Sequence, residues 1–283
     1  MPLVAMKEIL TEAREKRYGV GAFEFWSVDS AQAVVETAQE MSLPVILQAG
    51  LIESEFAGGI KNIFRIARIV ADAASIKVAL HLDHAESYEF ICSAIDAGFT
   101  SVMIDASNLP ITENMRLTKK VVLAAKSYGV TVEAELGRLA GNEGNTSASE
   151  EEAAQTDPEE ARRFVDETDI DALAVAIGTA HGFYKHTPRI NIERLKKITE
   201  LVGIPLVLHG GSGVPDDKIK EAIENGITKI NICTEFVAAF GKEYIQTQNN
   251  AGFKYSVPTL FGPSKEAGKK LVKAKLELFA NKT

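Results

Sequence analysis

Short apolar runs recur along the chain and alternate with longer stretches whose apolar residues repeat at helical spacing. Residues 20–24 (VGAFE), 45–50 (VILQAG), 78–84 (VALHLDH), 101–107 (SVMIDAS) and 131–136 (TVEAEL) are the first five runs. Residues 172–178 (ALAVAIG), 205–210 (PLVLHG) and 229–234 (KINICT) complete a set of eight. Each is rich in Val, Ile, Leu and Ala without strict alternation, the pattern of strands buried on both faces. Between them, residues 30–41 place Ala31, Val34, Val35 and Ala38 on one face, with Ser30 as the predicted N-cap. Residues 85–98 end at Gly98, 112–129 run from Thr112 to Gly129, and 157–168 begin with Asp157 as N-cap and Pro158 at the first helical position. Residues 191–203, 215–226 and 234–246 continue the series, and a C-terminal helical extension is expected near 247–283.

Eight buried strands alternating with helices predict an α/β fold, a (β/α)8 TIM barrel spanning 1–283 as one domain. The rival, a doubly wound open sheet, normally carries a Gly-rich fingerprint after its first strand, and VGAFEFWS has none. Residues 137–157 (GRLAGNEGNTSASEEEAAQTD) fit neither strand nor helix and read as a solvated acidic loop or as a mobile lid over the barrel mouth.

Barrels of this kind carry their sites at the C-terminal strand ends. The eight strands deliver Glu24, Gln48, His81, Asp83, His84, Asp105, Ser107, Glu133, Glu135, Thr179, His181, His209, Asn231 and Thr234 there. Four of the five histidines thus gather at one rim. His84, His181 and His209, from three separate strands, match a catalytic zinc site with an open fourth position. His81 is expected to support the site or the core, and His186 to lie on the surface. Glu135 is a candidate fourth or alternate ligand. The turn at 210–213 (GGSG) and the strand end at 231–234 (NICT) both offer backbone N–H groups at helix starts, the chemistry of a phosphate cradle. Asp83 and Glu143 supply two carboxylates on different segments. A metal that polarises a carbonyl, with two such acids, suits proton abstraction beside that carbonyl. The Schiff-base route needs a lysine at a strand C-terminus, and Lys77 and Lys229 both fall at strand beginnings.

The formal net charge is −8, with no basic stripe, which argues against nucleic acid. Two distant cysteines, Cys92 and Cys233, form no disulfide framework and fit a reducing cytoplasm. The N-terminal stretch lacks a signal-peptide layout, and no run of eighteen apolar residues predicts a membrane span.

The motifs HLDHA, SVMIDAS, VEAELG, AVAIGTAHGFY, LVLHGGSG and KINICTE, in this order, resemble the class II, metal-dependent ketose-bisphosphate aldolases, and look most similar to the tagatose-bisphosphate branch and its sugar-acid relatives. The resemblance implies a lyase that releases dihydroxyacetone phosphate and an aldehyde through a metal-stabilised enediolate. It implies zinc on His84, His181 and His209, with Glu135 as the alternate metal position and a second, monovalent cation as an option. Asp83 would exchange the hydroxyl proton and Glu143 the C3 proton of the ketone. Gly182, the run Gly210, Gly211 and Ser212, and the run Asn231, Ile232, Cys233 and Thr234 would hold the phosphorylated ketone. A homodimer or homotetramer is also implied.

Departures from the family pattern cluster at the acceptor half. Glu24 and Trp26 stand in AFEFW where many relatives have AFN, no phosphate-contacting hydroxyl follows strand two, and Thr259 occupies the position of an arginine. These changes predict an acceptor aldehyde without a distal phosphate, with Lys265 or Lys269 as candidates to compensate. A non-catalytic aldolase subunit and a different metal enzyme on the same barrel, such as a hydrolase, are the other readings.

Overall fold

The computed structural model describes residues 3–139, 141–143, 146–148, 154–184, 186–250, 252 and 256–280, with backbone alone over 141–143 and 146–148. The strands are β1 (Val20–Glu24), β2 (Val45–Ala49), β3 (Val78–Ala85), β4 (Ser101–Ile104), β5 (Thr131–Leu136), β6 (Gly141–Glu143), β7 (Thr146–Ala148), β8 (Ala172–Val175), β9 (Leu206–Leu208) and β10 (Ile227–Ile232). All but β6 and β7 form a closed parallel barrel in chain order, with β10 returning to pair with β1. The predicted (β/α)8 barrel is therefore present. The eight barrel strands are buried along their whole length, which is why their sequences read as continuous apolar runs.

The helices are α1 (Met6–Lys16), α2 (Val28–Glu40), α3 (Leu51–Phe56), α4 (Ile60–Asp72), α5 (Tyr88–Ala97), α6 (Ile111–Lys126), α7 (Pro158–Thr168), α8 (Ile192–Leu201), α9 (Asp216–Glu224), α10 (Thr234–Asn250) and α11 (Val257–Phe279). The Asp157 cap is formed, its side chain accepting from the Glu159 and Glu160 N–H groups. Helix α2 begins earlier than its periodicity suggested. Ser27 is its N-cap, and Ser30 sits three residues inside as the reciprocal partner of a capping box. Gly98 closes α5 in the left-handed conformation, with φ 110°. None of the described helices is long and apolar enough to cross a membrane.

Two cores result. Outward-facing strand residues pack with the helices, and Phe23, Leu47, Leu80, Val102, Leu173 and Ile230 belong to that layer. Inside the barrel, Val20, Ala22, Ile46, Ala79, Ala172, Ala174 and Val207 meet Met6, Ile9, Leu10 and Ala13 of α1. Helix α1 thus plugs the N-terminal end with apolar side chains, joined there by the small hydroxyls of Ser101 and Thr131, which meet Met6 Sδ and the Lys7 N–H. The C-terminal extension appears as α11, which buries Val272, Leu276 and Phe279 in the outer layer. Residues 137–157 are not wholly irregular: β6 and β7 pair antiparallel, Glu143 opposite Thr146, and Arg138 bridges Ala154.

Candidate active site

The opening of the barrel is lined by inward side chains whose strand positions follow from the period-two alternation: Glu24 on β1, Gln48 on β2, His81 and Asp83 on β3, Glu133 and Glu135 on β5, and Lys229 and Asn231 on β10. All are buried. His84 should point away, because it follows Asp83 directly and successive strand residues face opposite sides. The strand breaks that rule. Leu82 pairs with Val102 and Ala85 with Ile104, so three steps on β3 match two on β4. His84 takes φ 42° at this bulge, a backbone conformation costing of order 1–3 kcal/mol outside glycine. The bulge brings two adjacent residues to the same mouth, Asp83 and His84 together.

The three predicted imidazoles converge. Ring centroids of His84 lie 5.1 Å from His181 and 4.5 Å from His209, with His181 and His209 at 6.2 Å. Their ligand atoms all lie within 4.8 Å of one another. Each outer nitrogen of two of these rings is held by a carboxylate. His84 Nδ1 meets Asp105 Oδ2 at 2.8 Å, and Asp105 Oδ1 accepts from the Ser107 N–H and hydroxyl. His209 Nε2 meets Glu133 Oε1 at 2.9 Å. Both rings are thereby turned so that His84 Nε2 and His209 Nδ1 face each other at 2.7 Å. Carboxylate-held imidazoles with converging free edges form a donor set suited to zinc, and the residues fit that ion. Glu135 adds an oxygen 3.6 Å from His209 Nδ1 and forms a second candidate cluster with His84 and Asp105.

Asp83 sits beside this cluster. Gln48 Nε2 donates to its Oδ2 at 2.9 Å, Asn231 Nδ2 reaches Oδ1 at 3.2 Å and Oδ2 at 3.1 Å, and His81 Nε2 lies 3.5 Å from Oδ1. Burial pushes the Asp83 carboxyl up. The charge of His84, the His81 hydrogen bond and the Lys229 ammonium outweigh it and hold Asp83 well below the usual carboxylate range. Asp83 is therefore held as a carboxylate.

Lys229 does not stay at the wrong end of the barrel. Its side chain runs up the interior, fully buried, and its Nζ lies 3.1 Å and 3.0 Å from the two Glu133 oxygens. Burial raises the Glu133 carboxyl, and Lys229, His81 and His209 lower it to about 2. The lysine is thus committed to an ion pair that anchors the His209 support. Lys77 does lie at the N-terminal end, paired with Glu8 and Glu12.

The glycine turns are built as expected. Gly210 has φ 65°, and a side chain there would run into the Ala180 carbonyl. A Cβ on Gly211 would come within 2.8 Å of the Asn231 carbonyl, so the two candidate phosphate segments touch. Glu235 at the start of α10 accepts from the Gly213 N–H at 2.7 Å and donates its own N–H to Ser212 Oγ. Tyr184 ties the turn to the His181 segment: its hydroxyl accepts from the Ala180 N–H and donates to the Gly210 carbonyl. Burial pushes its phenol up to about 12, so it remains a donor.

A cavity of about 160 Å³ is lined by Glu24, Asp83, His84, His181, Gly182, Cys233 and Thr234, with residues 50–53. Asn231 and Ser212 are buried beside it. The Ile232 side chain packs in the outer core. The Glu143 side chain lies outside the described residues. His186 is exposed. In the sequence Asp105 and Glu133 read as strand-end acids without a role, and Tyr184 carries no signal apart from its place in HGFY.

Residues 4–283 match the family described as Fructose-bisphosphate aldolase class-II. The chain belongs to that family. It is 43% identical to a fructose-bisphosphate aldolase of Thermus caldophilus, over 99% of this chain and 98% of the relative. A fructose-bisphosphate aldolase of Staphylococcus aureus is 42% identical, again over 99% and 98%. Among solved structures, the YdjI aldolase of Escherichia coli K12 is 33% identical with a TM-score of 0.85, covering 98% of this chain and 97% of that one. Family membership makes the protein an aldolase, a carbon–carbon lyase of a metal-dependent class.

Proposed function

We propose that this aldolase cleaves a phosphorylated ketose to dihydroxyacetone phosphate and an aldehyde, using a zinc site on His84, His181 and His209. The observation that carries the reading is that Asp83, His84, His181, Gly182 and Thr234 line one cavity. When bound, zinc supplies a Lewis acid beside the ketone oxygens, where negative charge develops. Asp83 takes the proton from the hydroxyl next to the breaking carbon–carbon bond. That carbon–oxygen bond becomes the aldehyde carbonyl, and the electron pair of the broken bond passes to the ketone fragment as an enediolate. Glu143 returns a proton to its C3. Gly182, Gly210–Ser212 and Asn231–Thr234 hold the phosphate and the ketone, and the Asn231 amide also steadies Asp83.

The names of the relatives favour fructose 1,6-bisphosphate as substrate. A ketose 1-phosphate without a distal phosphate is a second reading, because Thr259 stands in the arginine position and the two candidate lysines are engaged. Lys265 binds Gln32 and Glu36, and Lys269 binds Glu36 and Glu40. A coupled assay for released dihydroxyacetone phosphate, run on ketose 1-phosphates and 1,6-bisphosphates, tests both. Release from any of them supports the aldolase reading and ranks the substrates; no release from zinc-replete protein overturns it. Self-association is inferred from the apolar residues that α10 and α11 leave exposed, Val237, Ile245, Val257 and Phe261, and a cytoplasmic location from Cys92 and Cys233, which are not joined in a disulfide.

A further inference from the structure

Glu24 is a buried acid at the mouth of β1 that the mechanism above does not use. Its two oxygens are both acceptors in the structure. Oε1 takes the Gly50 N–H at 3.1 Å, and Oε2 takes Gln48 Nε2 at 3.0 Å. The same Gln48 Nε2 donates to Asp83 Oδ2 at 2.9 Å. Glu24, Gln48 and the β3 residues are lateral neighbours in the barrel register, Glu24 opposite Gln48 and Gln48 opposite His81. One amide therefore lies between two carboxylates. Only its amino group satisfies both, so the two carboxylates together fix which end of the amide Asp83 meets, and Glu24 supplies half of that constraint.

We propose that Glu24 is a positioning residue for Asp83, acting through Gln48: its carboxylate locks the Gln48 amide with the amino group facing the catalytic acid. The inference rests on the role assigned to Asp83 above. An amide free to turn over would present its oxygen to the Asp83 carboxylate, displacing the group that takes the hydroxyl proton. The isosteric change Glu24→Gln breaks the lock by chemistry and not by shape. A glutamine there has one oxygen and one amino group. Whichever way it turns, its amino group meets a donor, either the Gly50 N–H or the Gln48 amino group. Relief of the second clash inverts Gln48.

The consequence is a split between two partial reactions. Cleavage needs Asp83, whereas exchange of the C3 proton of dihydroxyacetone phosphate with solvent needs the ketone end of the site alone. For Glu24→Gln, kcat for cleavage is expected to fall by about 10–100-fold, the scale of a misplaced catalytic group. The KM for the ketose phosphate and the rate of deuterium incorporation into dihydroxyacetone phosphate should each stay within about twofold. Bound zinc and the thermal melting profile are recorded for the same samples. Gln48→Met, which removes the donor at similar size, should reproduce the split by an independent route. An unchanged kcat in both variants overturns the inference. So does a raised KM with unchanged kcat, which would make Glu24 a direct substrate contact, or an equal loss of cleavage and exchange, which would make it structural. Asp83→Asn serves as the reference. If it cleaves at the wild-type rate, the assignment of Asp83 fails and the inference falls with it; if it loses cleavage but Glu24→Gln does not, the inference alone fails.

Discussion

Replacing Asp105 by asparagine should weaken zinc binding while leaving every proposed metal ligand in place. Asp105 spends both oxygens: Oδ2 on His84 Nδ1 at 2.8 Å, and Oδ1 on the Ser107 N–H at 3.1 Å and hydroxyl at 2.7 Å. An asparagine has only one oxygen. Turned towards His84, it leaves its amino group against the Ser107 N–H; turned towards Ser107, it presents a donor to His84 Nδ1. The second arrangement favours the histidine tautomer that carries its proton on Nε2, the nitrogen that faces His209. The ligand must then lose that proton or turn away before it can bind a metal. Removal of such a supporting carboxylate costs about 10–100-fold in metal affinity, or about 1.4–2.8 kcal/mol. Competition with a chromogenic chelator measures the affinity directly, and Asp105→Glu controls for the loss of charge. Asp105→Asn protein that binds zinc as tightly as wild type would refute the reasoning about His84.

Tyr184→Phe should lower stability by about 1–3 kcal/mol, because it leaves the Ala180 N–H and the Gly210 carbonyl without their shared partner, as read by denaturant titration. Glu133 has a folded-state pKa of about 2, below its ordinary 4.5, so its contribution is present above about pH 4.5 and is lost as the pH falls towards 2. Stability curves across that window should slope less in Glu133→Gln than in wild type; parallel slopes would contradict the pairing with Lys229. Gly210→Ala should displace the turn after β9, since it forces φ 65° on an alanine and meets the Ala180 carbonyl. A drop in melting temperature together with loss of cleavage is expected, and wild-type values for both would be inconsistent with the observed turn.

The barrel was legible because strands buried on both faces are rich in Val, Ile, Leu and Ala, and eight such runs stand out in the sequence. The cluster of His84, His181 and His209 was legible because histidines are few and these three fall at the ends of separate strands. Helices α1, α3 and α4 were not assigned, although Ile63, Ala67, Val70 and Ala71 form a clear apolar face on α4. Other features depend on pairing across strands and leave no local trace. The bulge that turns His84 inward is a register shift between β3 and β4. Asp105 and Glu133 look like any inward acids until their imidazole partners are known. Lys229 begins low on its strand, and its length carries the ammonium up to the site. Ile232 belongs to a motif whose backbone faces the cavity, while strand alternation sends its side chain to the outer core.

The central claim is that cleavage depends on one metal ion held by His84, His181 and His209. The most direct test is to strip the protein with a chelator, titrate zinc back, and follow bound metal and release of dihydroxyacetone phosphate together. The account predicts no cleavage in the stripped protein and a rate that rises in proportion to bound zinc, levelling at about one ion per chain. Full cleavage by the metal-free protein, or zinc bound at these histidines without any cleavage, would contradict it.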